Sequence, residues 1–152
     1  MELDDSGMEI LDREECMRLL TEGQVGRLGL VVQGRPLILP VNYGIDGEVI
    51  AFRTEPGVKL EAAAGHPVVL EVDVLNFFDR TGWTVLLEGV AEDVTDAPGE
   101  SFERLRSLVP EPWAPGPGSR FVRIVPSAIT GRRFGPCTLS RILAHSAHTP
   151  PG

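Results

Sequence analysis

GRLGLVVQGRPLILPVNYGIDGEVIAFR, residues 26–53, decides the fold class. Three apolar-rich runs, Gly26–Val32, Leu37–Tyr43 and Glu48–Arg53, are separated only by Gln33-Gly34-Arg35-Pro36 and Gly44-Ile45-Asp46-Gly47. Both links are rich in turn residues and too short for a crossover, so the strands they join are antiparallel. In the second run Leu37, Leu39, Val41 and Tyr43 share one face, and Ile38, Pro40 and Asn42 share the other. Pro40 has no N–H to give a ladder, so a bulge, an edge or a strand end is expected beside it. That leaves Asn42 and Tyr43 near irregular backbone, where polar groups can meet a ligand.

The same texture extends outward. A helix is expected from about Asp12 to Glu22, capped by Asp12 with Glu15 at the reciprocal position and ended by Gly23. Downstream come a short helix near Val58–Ala64, strands Val68–Asp73 and Trp83–Val94, and a helix Pro98–Leu108. Gly89 inside the second of these strands marks a bulge or kink. The proline-rich Pro110–Gly118 is a loop, and Ser119–Val125 and Ala128–Phe134 are two last strands. The sum is mainly β: about seven short antiparallel strands and three helices, read as a β-barrel with helices at its openings. Residues 1–134 form a single domain in this reading, with 135–152 a flexible tail.

With 152 residues and a net charge of -8, the chain is long enough for one core and too acidic for nonspecific binding to nucleic acid or an anionic membrane. It has no uninterrupted apolar run of 18 residues, and Met1-Glu2-Leu3-Asp4-Asp5 has no basic leader character, so a cytoplasmic protein is expected. Cys16 and Cys137 lie far apart outside any CxxC pair, and Cys16 reads as a small core residue. His66, His145 and His148 have no ligand-spaced partners, so no metal site is expected. Nucleophile elbows, zinc-protease motifs and Walker loops are absent. Glu71 and Asp73 share a strand face, fitting either acid–base work or a solvent-facing edge. Arg132-Arg133 reads as a solvated pair or a ligand contact, and Trp83 as core, interface or stacking platform.

One cluster stands against the acidic background. Phe52-Arg53-Thr54-Glu55-Pro56-Gly57-Val58-Lys59-Leu60 gathers a guanidinium, a hydroxyl and an ammonium around a strand-to-helix turn. Arg bonds phosphate oxygens at two points and Lys adds a point charge, so the segment reads as a phosphate cradle; ordinary solvated charges are the alternative.

Taken in order, Val25-Gly26-Arg27-Leu28-Gly29, Pro40-Val41-Asn42-Tyr43, Phe52-Arg53-Thr54 with Lys59, Glu71-Val72-Asp73, Gly82-Trp83-Thr84-Val85 with Gly89, and Thr130-Gly131-Arg132-Arg133 form a set. This set resembles the pyridoxamine 5'-phosphate oxidase-like family of FMN-binding split β-barrels, especially its small bacterial branch with the nitroimidazole-resistance proteins. The likeness spans about Leu11 to Phe134.

The resemblance implies a homodimer with flavin mononucleotide in grooves at the subunit interface. Arg53, Thr54 and Lys59, with Leu60 beside them, would hold the phosphate; Pro40, Val41, Asn42 and Tyr43 would flank the isoalloxazine. Trp83 would lie near the ring or the dimer seam, and Arg132 in the cofactor groove. It implies an oxidoreductase acting on a small organic substrate by hydride transfer at the flavin, with a nicotinamide nucleotide as donor. Catalytic residues remain unassigned because the flavin carries the chemistry. The vitamin B6 oxidases follow their Gly-Arg with a further His that is missing from Gly131-Arg132-Arg133-Phe134, so oxidation of pyridoxamine phosphate is not expected. The alternatives are the same fold holding a deazaflavin, with Arg27, Arg132 and Arg133 along the groove, or haem, or a non-catalytic flavin store or sensor whose ring is closed by Phe77, Phe78 and Trp83. Substrate loops would be Val74–Thr81 and Pro110–Gly118.

Overall fold

The computed structural model of the chain describes residues 1–111 and 119–135. In chain order these form β1 (Glu2–Leu3), β2 (Glu9–Leu11), α1 (Arg13–Leu20), β3 (Val25–Val32), β4 (Arg35–Asp46), β5 (Val49–Thr54), α2 (Val58–Ala63), β6 (Pro67–Asn76), β7 (Thr81–Asp93), α3 (Glu100–Leu108) and β8 (Arg120–Phe134). The expected tail from 136 and most of the proline-rich loop lie outside the described residues.

All the strands belong to one sheet, ordered β1-β2-β8-β5-β4-β3-β6-β7, and β7 pairs back onto β8. The strands from β8 to β7 therefore close into an antiparallel barrel, with the β1–β2 hairpin appended to β8. Closure satisfies backbone groups that an open sheet would leave at its edges. The hairpins are as tight as the turn residues imply. Gln33 and Gly34 take φ 50° and 76°, the two positive angles a two-residue connection between twisted strands needs.

Alternation fills the barrel. Ile50 and Phe52 of β5, Leu70 and Val72 of β6, and Val85 and Leu87 of β7 are almost completely buried. From α1, Cys16, Met17, Leu19 and Leu20 join the same core. Cys16 is the small core residue expected, and burial pushes its thiol pKa up. Helix α3 lies against the outer face of β5 instead of an opening: Leu105 and Val109 pack on Ala51, between the inward-facing Ile50 and Phe52.

Several details differ from the sequence reading. The two expected last strands are one, β8, which runs through Pro126 and Ser127. The register slips opposite them, so that Glu88 faces Ala128 and Gly89 faces Pro126. Ser127 is the extra residue and donates its hydroxyl to the Glu88 carbonyl at 3.1 Å. Gly89 thus sits at the irregularity expected of it, where a Cβ would lie 2.6 Å from the Val125 carbonyl oxygen. The β1–β2 hairpin was not expected. Asp12 caps α1, accepting from the Glu15 N–H at 2.8 Å, but Glu15 turns its own carboxylate to Arg18 and Arg133 instead of closing a capping box. Gly23 does not end α1, which stops at Leu20; it makes room for the Tyr43 ring and for Val72, whose Cγ1 would be 2.7 Å from a Cβ there. Pro98 precedes α3 by two residues instead of sitting in its first turn.

Candidate functional site

Strands β4 and β5 part where the ligand-facing residues were expected. Their ladder ends at the pair of Tyr43 with Phe52, so Asn42 and Arg53 are the next residues outward. Among the described residues, β4 is paired on one side only from Arg35 to Asn42, with β3. Pro40, Val41 and Asn42 therefore lie on an open edge, as the proline implied. Pro40 is exposed; Val41 is half-buried against the core, and Asn42 is half-buried on the outer face. Tyr43 differs: it is buried, its hydroxyl donates to the Leu20 carbonyl at 2.5 Å, and its N–H is bonded to Gln24. Desolvation raises its phenol pKa. The Tyr43 side chain belongs to the core and has no polar group left for a ligand.

Arg53 and Thr54 end β5, paired with Phe121 and Arg120 of β8. The Arg53 guanidinium stacks on the Phe121 ring, 4.7 Å from its centroid, and donates Nη1–H to Glu111 Oε2 at 2.9 Å. Its buried Nε has no hydrogen-bond partner among the described residues. The ring contact and the Glu111 bond hold this guanidinium in one orientation, with Nη2 bonded to no described residue. Lys59 is the second residue of α2, reached through Glu55-Pro56-Gly57. It is exposed, bonds no other described residue, and is the only lysine in the chain. Gly57 at the head of α2 gives no side-chain cap, and Leu60 is half-buried against the core. A fixed guanidinium at a strand end and an exposed ammonium on the next helix suit an anionic group.

Trp83 and Arg132 stand elsewhere. Arg53 pairs with Phe121 near the start of β8, whereas Trp83 and Arg132 lie at the other end of the β7–β8 ladder. Trp83 is mostly buried, and its remaining edge borders a cleft of about 460 Å³ that also touches Asn76, Thr81, Arg133 and Phe134. The β6–β7 hairpin, one of the expected substrate loops, forms one wall of this cleft.

The remaining arginines of the expected groove are engaged. Arg132 bonds Asp4 at 2.9 Å and the Gly131 carbonyl; Arg133 bonds Glu9 and Glu15. Arg27 bridges Glu71 at 3.1 Å and Asp73 at 2.9 Å, and Thr84 also donates to Glu71. Glu71 and Asp73 are thus charge partners on the barrel wall. Glu15 is held near pKa 2 by Arg18 first and then Arg133, and Asp4 also near 2, chiefly by the Ser6 hydroxyl. The Asp4–Arg132 link was beyond the sequence reading because the hairpin carrying Asp4 was not seen. The singularity of Lys59 is one signal in the composition that would have sharpened the cradle.

Comparison with known proteins agrees with this architecture. The pyridoxamine 5'-phosphate oxidase family model matches residues 12–133. An uncharacterized protein of Mycobacterium tuberculosis is 36% identical over 130 residues, covering 82% of this chain and 84% of that one. Among solved structures, the FAD binding protein from Mycobacterium smegmatis superposes with TM-score 0.70 at 32% identity, over 83% of this chain and 99% of that one. A FAD-binding protein from Mesorhizobium loti does so with TM-score 0.70 at 26% identity, over 84% and 99%. With its barrel closed and most of its length matched, this chain belongs to the pyridoxamine 5'-phosphate oxidase-like family.

Proposed function

We propose that the protein is a flavin-nucleotide-binding oxidoreductase that holds FMN with its phosphate at Arg53, Thr54 and Lys59. The observation that carries this reading is Arg53: a guanidinium stacked and oriented at the end of β5, six residues before the chain's one lysine. A flavin bound there supplies hydride transfer itself, so the chain has only to bind it, orient it and admit a substrate. Arg53 and Lys59 neutralise the phosphate. The open edge at Pro40–Asn42 offers backbone groups and the Asn42 amide to a polar ring edge. The cleft beside Trp83 receives a small organic substrate, and a nicotinamide nucleotide is the donor.

The cradle and Trp83 stand at different ends of the strands that pair with β8, an arrangement that suits a homodimer in which one protomer's cradle meets its partner's wall. The outer faces of β3, β4, β6 and β7 supply the surface: Val31, Ile38, Val69, Leu86 and Val90 are all exposed there. Exposed apolar side chains on a sheet wall, here interspersed with Arg27, Glu71 and Glu88, suit a contact between copies.

FAD is the second reading, favoured by the descriptions of the two solved relatives. The deazaflavin alternative is weaker, because Arg27, Arg132 and Arg133 already carry carboxylates. Mass spectrometry of the released cofactor, with the absorbance spectrum of the purified protein, separates FMN, FAD, deazaflavin and haem. Protein that stays colourless after soaking in FMN and FAD sinks the proposal. Flavin-loaded protein that turns over with neither NADH nor NADPH across a panel of acceptors is a store or sensor instead.

A further inference from the structure

We propose that Glu111 is a built-in competitor for the ligand's phosphate, its carboxylate occupying the Arg53 guanidinium until a phosphate oxygen replaces it. The inference rests on the Arg53 cradle proposed above. Carboxylate and phosphate bond a guanidinium in the same way, through anionic oxygens in the plane of its N–H groups. Of the two partners only one is anchored. The Arg53 side chain is 20% exposed and pressed on Phe121, whereas the Glu111 side chain is 82% exposed. Opening the pair therefore returns a carboxylate to water while the cation stays in place, a cheap exchange for a surface ion pair.

The arrangement has two consequences. Without ligand, Glu111 compensates a half-buried cation that would otherwise stand alone, which supports the folded state. With ligand, a phosphate oxygen that takes Nη1 displaces the Glu111 carboxylate instead of adding to an empty position, so Glu111 lowers affinity for phosphorylated ligands and leaves unphosphorylated ones unaffected. It sets how strongly the site prefers a nucleotide to its dephosphorylated counterpart.

The test compares wild type, Glu111→Gln and Arg53→Gln by titration with FMN and with riboflavin, read by flavin fluorescence, and by melting with and without FMN. Glu111→Gln is expected to bind FMN about three- to fivefold more tightly, to bind riboflavin as wild type does, and to melt lower only without ligand. Unchanged or weaker FMN binding in Glu111→Gln, while Arg53→Gln loses its preference for FMN, overturns the competitor and leaves the cradle standing. An unaltered FMN preference in Arg53→Gln overturns the cradle, and the competitor with it.

Discussion

The Tyr43 hydroxyl donates to the Leu20 carbonyl at 2.5 Å, joining β4 to the last turn of α1 inside the core. The carbonyls of a helix's last turn have no intrahelical partner, and here one is buried away from water. Tyr43→Phe keeps the ring and orphans that carbonyl, so it is expected to cost about 1–2 kcal/mol, a fall in melting temperature of roughly 3–6 °C. Thermal unfolding checks this, and flavin binding at saturation should be unchanged, because the side chain faces the core.

Gly131 and Cys16 make a second close contact. A Cβ on Gly131 would lie 2.6 Å from the Cys16 Sγ and 3.2 Å from Leu11 Cδ1. Gly131→Ala should overpack the junction of α1 and β8 and cost about 1–3 kcal/mol. Cys16→Ala removes the sulfur, so the double variant should lose less than the sum of the single losses. Additive losses in denaturant unfolding would mean that the two residues do not press on each other.

Much of this was legible because it was local. Alternation in residues 26–53 and two turns with obligatory chemistry specified the hairpins, and Pro40 correctly marked an open edge. What escaped notice depended on tertiary partners. Glu9-Ile10-Leu11 is too short for alternation to register, and it is a strand because β1 and β8 pair with it. Pro126-Ser127 looks like a break, yet a slip opposite Glu88 and Gly89 absorbs it. Tyr43 sits on the inward face with Val41, but its polarity drew it toward the ligand in the sequence reading; a helix carbonyl took that hydroxyl. Likewise the pairing of Arg132 with Asp4 joins residues from opposite ends of the described chain.

Acid should loosen the N-terminal hairpin and α1 together. Glu15, ordinarily near 4.5, and Asp4, ordinarily near 3.8, are both held at about 2 in the fold. Both pKa values are lower folded than unfolded, so below about pH 4.5 the unfolded chain takes up protons first. Their stabilisation is thus complete above that pH and disappears as pH falls through about 2. Denaturant midpoints measured from pH 7 to pH 2 should drop within this window, and Glu15→Gln should start lower at neutral pH and fall less steeply. Parallel profiles for the two proteins would assign the acid loss to other groups.

The cradle makes a graded prediction. Arg53→Gln removes a charged, oriented donor and should weaken FMN binding at least tenfold, while riboflavin binding changes little. Lys59→Gln removes a mobile, solvated charge and should weaken FMN binding only about two- to fivefold, an effect that fades in high salt. Isothermal titration at low and high salt reads both. Equal losses for FMN and riboflavin would mean that these residues support the fold, not the phosphate.

The outer wall of the barrel offers the last prediction. Ile38 is 69% exposed in the single chain, and Gly29 and Val69 follow it across the sheet in register. If a second copy covers this wall, Ile38→Glu places a charge where no partner waits, and burying it unpaired costs several kcal/mol. Sizing should show wild type as a dimer and the variant as a monomer that remains folded by circular dichroism, since Ile38 contributes little to the chain's own core. If the cradle and the Trp83 cleft meet across that seam, flavin binding should fall with dimerisation. A variant that stays dimeric would place the contact on another face, and a monomer that binds FMN at full affinity would confine the cofactor to one barrel.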